Sequence, residues 1–281
     1  MIKLLSGLGI LLALAACGPA GAPDTTALRA KLAADEQLEV GRFTPEEKET
    51  LARILLRTAT PCDGVRTIAD ELLDPASSCT RARGAARFAA RRLLDGYSAD
   101  EIEEQILHRY RETEAVTIDL EGSPMLGPPD APNTIVVFSD FECPVCARAA
   151  EHLTAVHQRS PDGVRIVFKH YPIDQLHAMA MSAARAVIAA GNQGKFWEFH
   201  DALFADQDAI GPGLYVRAAT TLGLDIDRFE TERISDATVE RVRADRAEAA
   251  RLGVEGTPAI FVNGRRFQDS VEFLEEWIEE E

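Results

Sequence analysis

The chain has 281 residues, enough for one or two domains with a sizeable core. Its 46% hydrophobic and 27% charged content is that of an ordinary globular protein. The formal net charge of −16 excludes the basic footprint that a nucleic-acid binder needs, and otherwise favours solubility.

The N-terminus, "MIKLLSGLGILLALAACGPAGAP", places one early cation, Lys3, before a short apolar run over residues 4–16. That run is shorter than the ~20 residues a membrane span requires and fits the apolar region of an export signal. It ends in "LAAC", which resembles the bacterial lipoprotein signal. The resemblance implies cleavage after residue 16, a diacylglycerol on the sulfur of Cys17, and a mature protein anchored to a membrane without spanning it. Residues 17–27, rich in Gly, Pro and small side chains, read as a flexible tether. Export implies an oxidising compartment in which disulfides persist. With Cys17 assigned to lipid and Cys143 and Cys146 forming a CxxC, Cys62 and Cys79 are left as a pair.

Residues 28–114 read as a small all-α module. Thr44-Pro45-Glu46-Glu47 is a capping box with proline at the first helical position, and Leu51, Ile54 and Leu55 follow on one face. Val65, Ile68, Leu72 and Leu73 suggest a second helix, stopped near Asp74-Pro75. Ala85, Phe88, Ala89 and Leu93 mark a third, ended by Gly96. Ser98 and Glu101 form another capping box ahead of Ile102, Ile106 and Tyr110. A Cys62–Cys79 bridge would join two of these helices and stabilise the module by about 3 kcal/mol through loop closure.

The Pro-rich stretch "EGSPMLGPPDAPN" separates this module from an α/β region spanning residues 115–281. Val116, Ile118 and Leu120 alternate as a strand does. "TIVVFSD" is a nearly continuous apolar run, as a buried central strand is. A helix with Cys146, Ala150, Leu153 and His157 on one face follows, and "GVRIVFKHYP" is the next strand. A long helical stretch over residues 175–252 is broken at Gly191, Gly211-Pro212-Gly213 and Gly223. "TPAIFVNGRRF" reads as a hairpin turning at Asn263-Gly264, and an amphipathic helix with Val271, Leu274, Trp277 and Ile278 ends the chain.

The order of these elements, together with "VVFSDFECPVC", "FKHYPI", "GKFWEFHDALF" and "GTPAIFVNG", resembles the DsbA-like thiol:disulfide oxidoreductases over residues 116–281. The resemblance implies an α/β thioredoxin fold with a helical insertion, here preceded by the all-α module. It also maps the family's cis-proline onto Pro258, in a loop packed beside the CxxC, with the backbone of Thr257 pairing an extended substrate segment. "LLDGYSADEIEEQILHRY", at the end of the helical module, faintly resembles the helical domain of CcmH-type thiol proteins. Those carry a reactive CxxC near the start, where this chain has only Cys62, so no activity is carried over from them.

Thiol–disulfide exchange needs one ionised cysteine and a second to resolve the mixed disulfide. Cys143 sits where strand turns into helix, so free N–H groups and the helix dipole favour its thiolate and lower its pKa. Cys146, one turn on, faces inward and fits the resolving role. Glu142 opposes the thiolate if it points at the sulfur, and position alone turns it toward solvent. Asp140 either relays a proton to Cys146 or caps the turn. Phe196, Trp197, Phe199 and Phe204 read as core of the inserted helical layer, with a subset available to edge a groove near Cys143.

No metal site is expected. His108, His152, His157, His170, His177 and His200 stand at no ligand spacing, and His170 and His177 read as surface or core residues. No dissociable cofactor is expected either, because the Cys143–Cys146 pair is itself the redox group. The sequence therefore points to a lipid-anchored, extracytoplasmic oxidoreductase on the periplasmic side of a bacterial membrane. Its clients would be cysteine-bearing exported proteins, and a membrane or thioredoxin-like partner would recharge it. The proline-second "CPVC" leans toward an oxidase; the alternatives are a reductase or isomerase, for example in cytochrome c maturation, and a binding lipoprotein with a structural CxxC.

Overall fold

The computed structural model describes residues 25–110 and 115–280. The expected export signal, residues 1–16, and Cys17 lie outside the described residues. The chain divides into two compact units between Glu103 and Glu104.

The first unit is helical. Helix α1 (Thr25–Ala34) begins inside the stretch expected to be tether, because Leu28 and Leu32, four residues apart, bury one face. Helix α2 (Pro45–Arg57) starts at the expected capping box: Glu47 N–H donates to Thr44 Oγ1 at 3.2 Å, and Thr44 N–H donates to Glu47 Oε2 at 2.6 Å. Helix α3 (Ile68–Leu73) has a second such box between Thr67 and Asp70. Val65, expected on that helix, precedes it in an exposed turn that Asp63 organises by accepting the Val65 N–H at 2.9 Å. Helix α4 (Thr80–Leu94) packs Ala85, Phe88 and Ala89 into a core with Leu51, Ile54, Leu55 and Ile68. A Cys62–Cys79 disulfide ties the turn after α2 to the first residue ahead of α4, so it joins a turn to a helix start rather than two helices.

Helix α5 (Ala99–Arg109) contains the division between the units, which falls earlier than the boundary at residue 114 read from the sequence. The cause is its last turn. Arg109 pairs with Glu280 at 3.2 Å and with Asp269, and Tyr110 donates to Glu280 Oε2 at 2.9 Å. These residues therefore belong with the second unit.

The second unit is built on a five-stranded sheet of order β1-β3-β2-β4-β5. Strands β2 (Asn133–Ser139) and β3 (Val164–His170) are parallel, with Ile135 opposite Ile166 and Ser139 opposite His170. The short β1 (Met125–Leu126) runs antiparallel to β3, and β4 (Ala259–Val262) runs antiparallel to β2. Strand β5 (Arg265–Arg266) closes the expected hairpin, whose turn residues Asn263 and Gly264 have φ of 50° and 80°, the left-handed pair such a turn requires. Residues 115–120 form no strand, although Val116 N–H donates to the Gly264 carbonyl at 2.9 Å and Ile118 and Leu120 pack on the sheet.

Strand β2 is buried on both faces, which is why its sequence is continuously apolar. Ile135 and Val137 face one core with Ile166 and Phe168, while Val136 and Phe138 face another with Val167, Phe261 and Ala249. The first core is covered by α6 (Pro144–Arg159), α7 (Ala180–Gly191), α8 (Phe196–Ala205), α9 (Pro212–Thr221), α10 (Ile226–Arg233) and the C-terminal α12 (Leu274–Glu280). Helix α11 (Asp236–Arg251) supplies Ala249 to the second. The chain is therefore a thioredoxin fold with a helical insertion, preceded by a helical unit. Among the described residues no helix is long and apolar enough to cross a membrane.

Candidate active site

Strand β2 ends at Ser139, and a three-residue turn carries the chain to Cys143, the residue ahead of α6. Pro144 occupies the first helical position, where a missing N–H costs nothing. Cys143 O accepts from Cys146 N–H at 3.0 Å and from Ala147 N–H at 3.2 Å, closing the first turn and setting the two side chains one turn apart. Both cysteines are free thiols and both are buried.

The turn is held from three directions. Gln207 Nε2, on the segment after α8, donates to Phe141 O at 2.7 Å and to Cys143 O at 2.9 Å. Asp140, fully buried, accepts the N–H of Glu142 at 2.9 Å, the N–H of Ile173 at 2.8 Å, and meets His177 Nδ1 at 2.8 Å. It thus organises the turn and docks the loop after β3. Glu142, expected in solvent, instead accepts Met179 N–H at 2.5 Å at the entry to α7. Its carboxylate is committed to that loop. From below, Phe141 stacks on Phe168 and packs on Phe204, with centroids 5.3 and 4.9 Å apart.

Opposite the thiols runs the loop ahead of β4. The Thr257-Pro258 peptide bond is cis, and Cys143 Sγ lies 3.6 Å from the Thr257 carbonyl, to which it donates in its thiol form. The structure therefore brings together Cys143, Cys146, Thr257 and Pro258 from two segments 114 residues apart in sequence.

The electrostatics of the two sulfurs diverge. A hydrogen bond from Cys146, reinforced by Thr257 and the backbone N–H groups of Cys146 and Val145, lowers the Cys143 pKa to about 5 despite burial. Burial, together with the hydrogen bond to Cys143, pushes the Cys146 thiol far up. One cysteine is a thiolate at neutral pH and the other a thiol, the division of labour that disulfide exchange requires. His177 is raised above its ordinary value, chiefly by Asp140 and further by the negative charge on Cys143.

Two residues of this site were given no role in it by sequence reasoning. His177 has no ligand or triad spacing, and only the folded loop carries it to Asp140. Gln207 lies in the inserted helices with no motif around it. The aromatic residues behave largely as core: Phe196 and Phe199 are buried, and Phe204 backs the turn. Among the described residues no group of three or more His, Cys, Asp or Glu side chains gathers as a metal site would.

Residues 119–280 match the family model described as thioredoxin. Among curated proteins the chain is 41% identical over 153 residues to Na(+)/H(+) antiporter NhaA 3 of Salinispora tropica, covering 54% of this chain and 23% of that protein. It is 39% identical over 153 residues to the NhaA antiporter of Herminiimonas arsenicoxydans, covering 54% of this chain and 24% of the other. The chain thus matches about a quarter of the length of these relatives. Among solved structures it is similar in fold to oxidised BdbD of Bacillus subtilis, with TM-score 0.52, 24% identity, and coverage of 57% of this chain and 93% of that one. A second fold match is the thiol-disulfide exchange protein alpha-DsbA2 of Wolbachia pipientis, with TM-score 0.51, 20% identity, and coverage of 57% and 87%.

Proposed function

The chain belongs to the thioredoxin family, and from that premise we propose that it is a thiol:disulfide oxidoreductase of the DsbA-like type that works outside the cytoplasm as a membrane-anchored oxidase of exported proteins. The observation that carries the direction is the Cys143 thiolate. A group that stabilises the thiolate stabilises the reduced enzyme, and so makes its disulfide a stronger oxidant.

The reaction starts from the Cys143–Cys146 disulfide. A client thiolate attacks Cys143 Sγ; a client–Cys143 bond forms, the bond to Cys146 breaks, and Cys146 leaves with the electron pair and takes a proton. A second client thiolate then attacks the first client sulfur and expels Cys143 as its stabilised thiolate. The client gains a disulfide and the enzyme holds two electrons. A membrane-bound or thioredoxin-like partner removes them. The redox-active disulfide needs no dissociable cofactor.

The Thr257 carbonyl beside Cys143 supports a client held as an extended segment against the loop ahead of β4. Val145 and Leu176 expose apolar side chains on the two segments flanking the turn, as a site for unfolded protein needs. The lipoprotein-like leader supports anchoring through Cys17, and the Cys62–Cys79 bridge is consistent with an oxidising compartment. We assign the residues from Cys17 up to the start of α1 to the tether, and the helical unit to a structural role stabilised by that bridge.

The test is to trap the intermediate. The Cys146→Ala variant, expressed in an exporting bacterium, is expected to accumulate client proteins as mixed disulfides through Cys143, released by dithiothreitol on gels. Absence of adducts, or adducts that persist in a Cys143→Ala, Cys146→Ala double variant, contradicts the assigned roles.

A further inference from the structure

A cavity of about 430 Å³ within the second unit has none of Cys143, Cys146, Thr257 and Pro258 in its lining. Its roof is the segment Gly122-Ser123-Pro124, its floor His170 and Phe196, and its far wall the first turns of α11. The volume is in the range of small-molecule sites. We propose that this cavity is a second binding site, separate from the thiol centre, for a small carboxylate carrying an apolar or aromatic body.

Three observations carry it. His170 lines the cavity and is almost completely buried, yet its Nδ1 has no hydrogen-bond partner among the described residues. A buried polar atom is ordinarily paired, so an orphan on a residue that lines a cavity is a polar atom in want of a partner. Burial, with nearby Arg241, holds this ring neutral by pushing its pKa down to about 3, so its nitrogen offers a hydrogen bond and no charge.

The second is a cation on the wall. Arg241 is fixed by Glu121 O at 3.0 Å, Ser123 Oγ at 2.8 Å and Asp245 Oδ1 at 3.5 Å. Those contacts orient the guanidinium without using all five of its N–H donors. Asp245 does not cancel it, because Lys169 pairs with Asp245 at 3.3 Å and with Glu248 at 3.0 Å, and Arg251 also reaches Glu248 at 3.3 Å. In that cluster Lys169, Arg241 and Arg251 face Asp245 and Glu248, three cations against two anions. Arg185 adds a further cation by donating to Thr238 Oγ1 on the same wall at 3.3 Å.

The third is the apolar lining from Ile188 and Phe196. A carboxylate is the planar anion that a guanidinium grips best, and a ring or branched chain fills the remaining apolar volume. A bare inorganic anion would leave that lining empty.

The experiment uses the full chain labelled with ¹⁵N-histidine and two probes, benzoate and its neutral counterpart benzamide. Benzoate is expected to move the His170 ring resonances saturably, and benzamide to bind at least about tenfold more weakly, as loss of one charge-assisted contact implies. Arg241→Gln should weaken benzoate by a similar factor. Ile188→Trp, which fills the cavity and leaves every charged residue in place, should abolish the shift while the His177 resonances report an intact fold. No shift of His170 at saturating benzoate, equal binding of benzamide, or a shift that survives Ile188→Trp overturns the proposal. The benzoate and benzamide comparison needs no variant, so a misfolded Arg241→Gln protein does not shield it.

Discussion

The fully buried carboxylate of Asp140 and the imidazole of His177 meet at 2.8 Å, although 37 residues separate them in sequence. Asp140 stands at the turn into the CxxC helix and His177 in the loop after β3, so this one contact locks two sides of the thiol site. The contact favours the imidazolium, and the folded-state pKa of His177 is raised above the ~6.5 of an unstructured chain. A raised pKa contributes stability that is fully present below the unfolded value and is lost as pH rises through the folded one. An NMR titration should therefore find His177 deprotonating above the ordinary histidine value, and Asp140→Asn should return it toward that value. A His177 midpoint indifferent to that substitution contradicts the contact.

The Cys143 thiolate predicts a pH signature in the opposite sense. Its pKa is depressed from 9.0 to about 5 in the folded, reduced protein. A depressed pKa contributes stability that is present above the unfolded value and is lost as pH falls through the folded one. The reduced form should gain stability relative to the disulfide form as pH rises between about 5 and 9, measured by denaturant unfolding of both forms. Thiolate absorbance near neutral pH should titrate with a midpoint near 5, and Cys146→Ala should raise that midpoint by removing the hydrogen bond that contributes most.

Gln207 holds two carbonyls of the turn with a single amide group. Gln207→Leu keeps the bulk and removes the side-chain donor from both carbonyls; Cys143 O keeps the Cys146 and Ala147 N–H groups, so the loss falls on Phe141 O. The expected cost is about 1–3 kcal/mol in both redox states, with Cys143 alkylating at an altered rate because its backbone is no longer fixed. Unchanged stability and unchanged alkylation together would show that the turn holds itself.

Removing the Cys62–Cys79 bridge tests whether the first unit is a structural element. Cys62→Ser with Cys79→Ser should destabilise that unit by about 3 kcal/mol through the lost loop constraint. The Cys143 thiolate titration should not move. A shift in that titration would mean the second pair takes part in the exchange chemistry.

How far the sequence reaches is clear from particular residues. The apolar run 134–138, the capping boxes at Thr44 and Ser98, and the Asn263-Gly264 turn are local signals, and each produces its element where local chemistry places it. The partnership of Cys143 with the Thr257 carbonyl was open to reading only through family resemblance, because nothing local connects them. Val116, Ile118 and Leu120 alternate like a strand, but Val116 N–H meets the carbonyl of the hairpin turn at Gly264, and Ile118 and Leu120 pack on the sheet face with Val136, Phe261 and Ala249 without joining the ladder. Alternation reports a half-buried extended segment and does not say whether a neighbouring strand accepts it. Glu142 and His177 were misjudged for a similar reason. Their partners, Met179 N–H and Asp140, depend on how one loop folds over the turn, and no spacing in the chain encodes that.

The central claim is that this pair donates disulfides, and the most direct test is its reduction potential. The measurement is equilibration with glutathione of a chain carrying Cys62→Ser and Cys79→Ser, so that only Cys143 and Cys146 exchange. A stabilised Cys143 thiolate predicts an oxidising value near about −120 mV. A value near about −270 mV would make the protein a reductant, and a pair that does not exchange at all would leave the CxxC a structural bridge.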